Sequence, residues 1–154
     1  MNRKTLTQLF ALSGAAICFG ASAGYADDGA RCRDVGGGVL TNFVDQSHAQ
    51  GPVTGDLRGA VAVQVLSVNG NVYHIAKQLV TETGDTVNFS NTDLTTYMTG
   101  IPGLFAAQET IKIIGGTGRF EDATGTLSFF GAINGGRVTL RYEGIVCFEH
   151  VPLP

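Results

Sequence analysis

Alternation of apolar and polar residues with a period of two, tight-turn dipeptides between the alternating runs, and an excess of glycine predict an all-β domain. Short antiparallel strands at this spacing close into a barrel or stack as a sandwich. Glycine supplies 22 of 154 residues, about twice its ~7% share of average usage. Hairpins that need positive φ and strands that coil tightly both favour a residue without Cβ.

The elements follow in chain order. Val39–Asp45 reads as a short strand. Leu57, Gly59, Val61, Val63 and Val65 alternate with Arg58, Ala60, Ala62 and Gln64, as in a half-buried strand. Asn69-Gly70 separates that run from Val72–Val80, and Asn-Gly between two β-rich runs is the strongest short hairpin signal. Thr83-Gly84-Asp85 ends the second run and Thr86–Ser90 begins a third. Leu104–Thr110 is assigned one helical turn at most. Ile111–Ile114 is a β-branched run stopped by Gly115 and Gly116, and Leu127–Ile133 and Val138–Phe148 are joined by Asn134-Gly135-Gly136. These make seven strands, with an eighth over Thr95–Thr99. No repeat of 20–50 residues divides the chain.

Residues 1–26 are set apart as a removable export signal. Arg3 and Lys4 precede a mostly apolar run from Leu6 to Phe19, followed by Ala21-Ser22-Ala23 and Ala26 as cleavage positions. That run is too short for a membrane-spanning helix. Residues 27–154 then form a single domain, expected in the periplasm or secreted. Cys18 leaves with the signal, and the remaining Cys32 and Cys147 form an even pair, read as one disulfide in an oxidising compartment. The formal charge is -3 with no basic run, which argues against nucleic acid as a partner. His48, His74 and His150 stand apart, so no metal site is expected, and nothing in the sequence calls for a cofactor.

The stretch from Gly115 to Gly125 holds four glycines and an arginine, but lacks the lysine and following Ser or Thr of a phosphate loop. It reads as a structural turn between two strands. Its core, Gly115-Gly116-Thr117-Gly118-Arg119-Phe120 with Gly125 following, resembles the glycine-rich motif of plant dirigent proteins and allene oxide cyclases. The similarity runs from Gly55-Asp56-Leu57 to Val138–Val146. It implies an eight-stranded antiparallel barrel of allene oxide cyclase/dirigent type with an apolar cavity, assembled as a homo-oligomer (dimer or trimer). It also implies either cofactor-independent cyclisation of an apolar substrate or the holding of phenoxy radicals for coupling. The segment Phe105–Thr110 carries no tyrosine where allene oxide cyclases use one, so no catalytic residue is carried over.

The pleat proposes three polar residues for the interior. Glu109 is in phase with Ile111 and Ile113, opposite Thr110 and Lys112. An unpaired carboxylate there would have a raised pKa, whereas at the rim it would be solvated. Tyr142 is in phase with Val138, Leu140 and Val146, either presenting its hydroxyl to a ligand or satisfying it on the backbone. Asp45 follows Val39, Thr41 and Phe43 on one face, near the mouth or within a turn that includes Gln46-Ser47-His48. His74 is expected at the surface or rim. The expected function is binding of an apolar small molecule inside the barrel, with a cofactor-independent isomerase or cyclase as the alternative.

Overall fold

The computed structural model describes residues 31–149; the export signal read in residues 1–26 lies outside them. Nine strands follow one another: β1 (Arg31–Phe43), β2 (His48–Gly55), β3 (Gly59–Asn69), β4 (Val72–Thr81), β5 (Thr86–Phe89), β6 (Thr92–Met98), β7 (Leu104–Gly116), β8 (Thr124–Asn134) and β9 (Arg137–Phe148). Every pairing is antiparallel. β9 returns to β1 with Arg31 opposite Phe148 and Asn42 opposite Arg137, which closes the sheet. β5 and β6 together make one stave between β4 and β7. β5 pairs with Gln78–Val80 of β4, and β6 pairs with Val72–Ile75. Both then pair with β7. The result is a closed eight-stranded antiparallel barrel, not a sandwich. Among the described residues closure leaves the sheet without an end strand, although Arg31–Val35 of β1 pairs with β9 alone.

Both predicted tight hairpins are present. Gly70 has φ +61° and Gly135 φ +55°, a region that costs residues with a Cβ energy and glycine little. The glycine motif is a structural turn, as read. It contains a single 3-10 turn, Gly118–Phe120, between β7 and β8. Thr117 accepts hydrogen bonds from the Thr86 backbone N–H (2.9 Å) and hydroxyl (3.1 Å). Phe120 is completely buried beneath it, 5.6 Å from the Phe148 ring.

Three expectations are corrected. Leu104–Thr110 is strand and not a helical turn, because β6 and β8 pair with it on its two sides. His48–Gly55 is a strand that the sequence reading lacks. Gly51-Pro52 reads locally as a breaker, yet β1 and β3 hold it from both sides. β1 begins at Arg31 instead of Val39, hidden by the run Gly36-Gly37-Gly38.

The middle glycine of that run has a steric cause. A Cβ on Gly37 would lie 2.0 Å from the Thr54 carbonyl oxygen and 2.7 Å from the Tyr142 hydroxyl, so the Tyr142 ring crosses β1 only where no side chain stands. Gly37→Ala is expected to lose roughly 1–3 kcal/mol through overpacking. The urea midpoint should fall with an unchanged m-value, and an unmoved midpoint would refute this role for Gly37.

Candidate functional site

The connections β2–β3, β4–β5 and β7–β8 and the two ends of the described chain lie at one end of the barrel, which is packed shut. Phe120, Leu57, Val87 and Val146 there are at most 1% exposed. The interior toward the other end, at hairpins β1–β2, β3–β4, β6–β7 and β8–β9, is not filled. An apolar cavity of about 100 Å³ runs there, lined by inward residues of β1 to β5, β8 and β9 and of β6 at Leu94. Val39, Val61, Ile75, Leu140 and Phe129 form its body, and the less buried Phe43, Val65, Tyr73 and Ile133 lie toward its mouth.

One inward row crosses the barrel at mid-height. Glu109 is paired with Phe129 across β7–β8, Phe129 with Tyr142 across β8–β9, and Tyr142 with Gly37 across β9–β1. Side chains directly opposite on an antiparallel pair share a face, so this register alone brings Glu109 and Tyr142 into one tier. The Phe129 and Tyr142 rings are 5.8 Å apart. The Tyr142 hydroxyl donates to the Thr54 carbonyl (3.0 Å) and accepts from the Leu57 N–H (2.9 Å). It is thus satisfied on the backbone, while its ring lines the cavity. Burial pushes that hydroxyl's pKa up, and the Leu57 hydrogen bond works against the shift.

Glu109 is inside, not at the rim, and it is not alone. Its side chain has no exposed surface, and Oε1 accepts a hydrogen bond from Nζ of Lys77, whose side chain is 5% exposed. Lys77 Nζ also sits 4.3 Å above the Phe129 ring, so both the carboxylate and the quadrupole of the aromatic face attract the ammonium. Glu109 Oε2 has no hydrogen-bond partner among the described residues. The pair spans the break in the composite stave. β4 pairs with β6 up to Ile75 and with β5 from Gln78, which leaves Lys77 opposite the interval between them. Burial pushes the Lys77 amine down from 10.5 to about 7, since an ammonium taken out of water loses hydration that one carboxylate only partly replaces. Lys77, unlike Glu109, is part of the cavity lining.

Lys77 is the residue that the sequence reading missed. It is in phase with Tyr73, Ile75 and Leu79, which was the available signal. The opposite face of β4, however, also carries Val72, Ala76 and Val80, and the pleat did not say which face is inward. The expectation of an unpaired Glu109 carboxylate is corrected accordingly, since its counter-ion comes from a strand two staves away.

Asp45 is outside the cavity. It occupies the β1–β2 turn with its side chain 55% exposed. It accepts the N–H groups of Ser47 (2.7 Å) and His48 (2.8 Å). The Ser47 bond first, then the His48 ring, hold its carboxyl down at about 2. His74 is on the outer face, 2.9 Å from Asp93. Cys32 and Cys147 are disulfide-bonded across the β1–β9 seam. Compared with family models, with curated proteins and with solved structures, the chain finds no match in any of the three.

Proposed function

We propose that this is an exported β-barrel protein that binds a small apolar molecule in its interior. The observation that carries the reading is the cavity. Native interiors hold few voids larger than a water molecule, and a space of about 100 Å³ that the side chains leave unfilled forfeits on the order of 2 kcal/mol of packing at ~24 cal/mol per Å³. A purely structural barrel would gain by filling it. One larger residue in place of Ala49, which lines the cavity and is 4% exposed, would do so. An apolar void of this order in other proteins takes up a single aromatic ring. The disulfide supports an oxidising compartment, where such bonds persist.

Two measurements test the reading. Native mass spectrometry of protein from its producing cells should show a co-purifying small molecule. Toluene added to stripped protein should shift the NMR signals of Ile75, Leu79 and Leu140 and leave the outer-face Thr126 unmoved. Ala49→Leu is expected to abolish the toluene response at equal or higher stability. No uptake of an apolar probe by the wild type, together with stabilisation by Ala49→Leu, would leave only a structural module.

A second reading is favoured by the Lys77–Glu109 pair. A titratable amine on the cavity, hydrogen-bonded to a carboxylate, is equipped to move a proton. That is compatible with a cofactor-independent isomerase or cyclase, as the resemblance to allene oxide cyclases and dirigent proteins would imply.

A further inference from the structure

We propose that Lys77 is a nucleophilic amine that captures apolar aldehydes entering the barrel, holding them as a protonated imine with Glu109 as its counter-ion. The proposal rests on the binding reading above and names the chemical class of ligand.

Three features of the site argue for it. Among the described residues Lys77 is the one lysine or arginine in the cavity lining, and the rest of that lining is aliphatic or aromatic apart from Thr41 and the two tyrosines. A neutral apolar carbonyl compound fits that surface, whereas a carboxylate ligand would place a second negative charge beside Glu109. Next, the amine is desolvated between Glu109 Oε1 and the Phe129 face. Removal of water is what makes a lysine nucleophilic near neutral pH, and burial brings this one down to about 7. Finally, Glu109 keeps a second oxygen, Oε2, without a partner among the described residues. An acceptor left over beside the amine can carry the proton that the nucleophile must shed.

The step balances within the pair. The proton passes from Nζ to the Glu109 carboxylate, and the nitrogen lone pair attacks the carbonyl carbon, forming the C–N bond. The carbonyl oxygen takes up a proton from the nitrogen, giving a neutral carbinolamine. The Glu109 carboxyl then returns its proton to that hydroxyl, which leaves as water while the C=N bond forms. Aldehyde plus ammonium–carboxylate becomes iminium–carboxylate plus one water. The interior holds one positive and one negative group before and after, so the barrel takes up no net charge. Among the described residues the other titratable groups facing the cavity are Tyr73 of β4 and Tyr142 of β9. The latter's hydroxyl is engaged by Thr54 and Leu57.

The full chain would be incubated near pH 7 with benzaldehyde, reduced with borohydride, and mapped by peptide mass. Lys112 on the outer face of β7 is the internal control. The benzyl adduct is expected on Lys77 in at least about tenfold excess over Lys112, whose exposed amine keeps the strong hydration that holds back its lone pair. Capture should weaken as the pH is lowered from 7 to 5. Lys77→Met should lose the adduct, and if that variant does not fold the wild-type map still decides. Toluene separates the two readings. Toluene binding with no excess of adduct on Lys77 overturns the imine and leaves the binding function standing. Failure of both probes overturns both.

Discussion

Reduction of the Cys32–Cys147 disulfide is expected to lower the stability of the barrel by about 4–5 kcal/mol, the chain-entropy value for a closed loop of this length. The two cysteines are 115 residues apart and directly opposite on β1 and β9. The barrel closes along that seam, and every other pairing joins neighbouring staves of the meander. The cross-link therefore removes from the unfolded ensemble the largest loop that folding must close. For a domain of this size the loss corresponds to a fall in Tm on the order of 15 °C. Urea unfolding with and without reductant, and of a Cys32→Ser/Cys147→Ser variant, would measure it. Equal midpoints would show that the seam gains nothing from the bond.

The second large effect belongs to the ion pair. Lys77→Met leaves the Glu109 carboxylate buried without a counter-ion and is expected to cost about 3–5 kcal/mol, as for other broken buried pairs. Glu109→Gln strands the ammonium instead; its cost is moderated because Lys77 can give up its proton. The structure thus reverses the expectation that follows from a solitary buried carboxylate, for which Glu109→Gln would be harmless. Replacing both, Lys77→Met/Glu109→Met, should recover most of the loss and could exceed the wild type, since apolar substitutes for a buried pair are often neutral or stabilising. With Glu109→Met as the matching single variant, Lys77→Met and the double variant complete a double-mutant cycle with a coupling of several kcal/mol. Additive effects would mean that the two charges do not depend on each other.

The same site sets a pH dependence. The Lys77 amine is held at about 7 in the folded chain against a reference of 10.5, so between those values the unfolded state binds more protons than the folded one. Stability from this group therefore rises with pH across that window. Wild-type stability should climb from pH 7 toward pH 10 relative to the double variant, a difference in which the other groups cancel. A parallel pair of profiles would contradict the burial of the amine.

Much of this protein is a local matter and is legible along the chain. A pleat turns alternate side chains to opposite faces wherever a strand runs, so Ile111 and Ile113 carry Glu109 inward with them, and Val138 and Leu140 carry Tyr142. Asn69-Gly70 and Asn134-Gly135-Gly136 make hairpins because left-handed φ is cheap at glycine. The turn after Gly116 and the even pair of cysteines likewise follow from residues in sequence. Tertiary structure decided the rest. β2, with Gly51-Pro52 in its middle, is a strand only because β1 and β3 pair with it. β5 and β6 count as one stave only because β4 and β7 bracket both. Whether the strands stack or close depends on β9 meeting β1, a contact between opposite ends of the domain. The meeting of Lys77 with Glu109 is of that kind. Period and turn chemistry fix the direction in which each side chain points. Only the register of strands around a closed ring fixes which inward side chain it then finds.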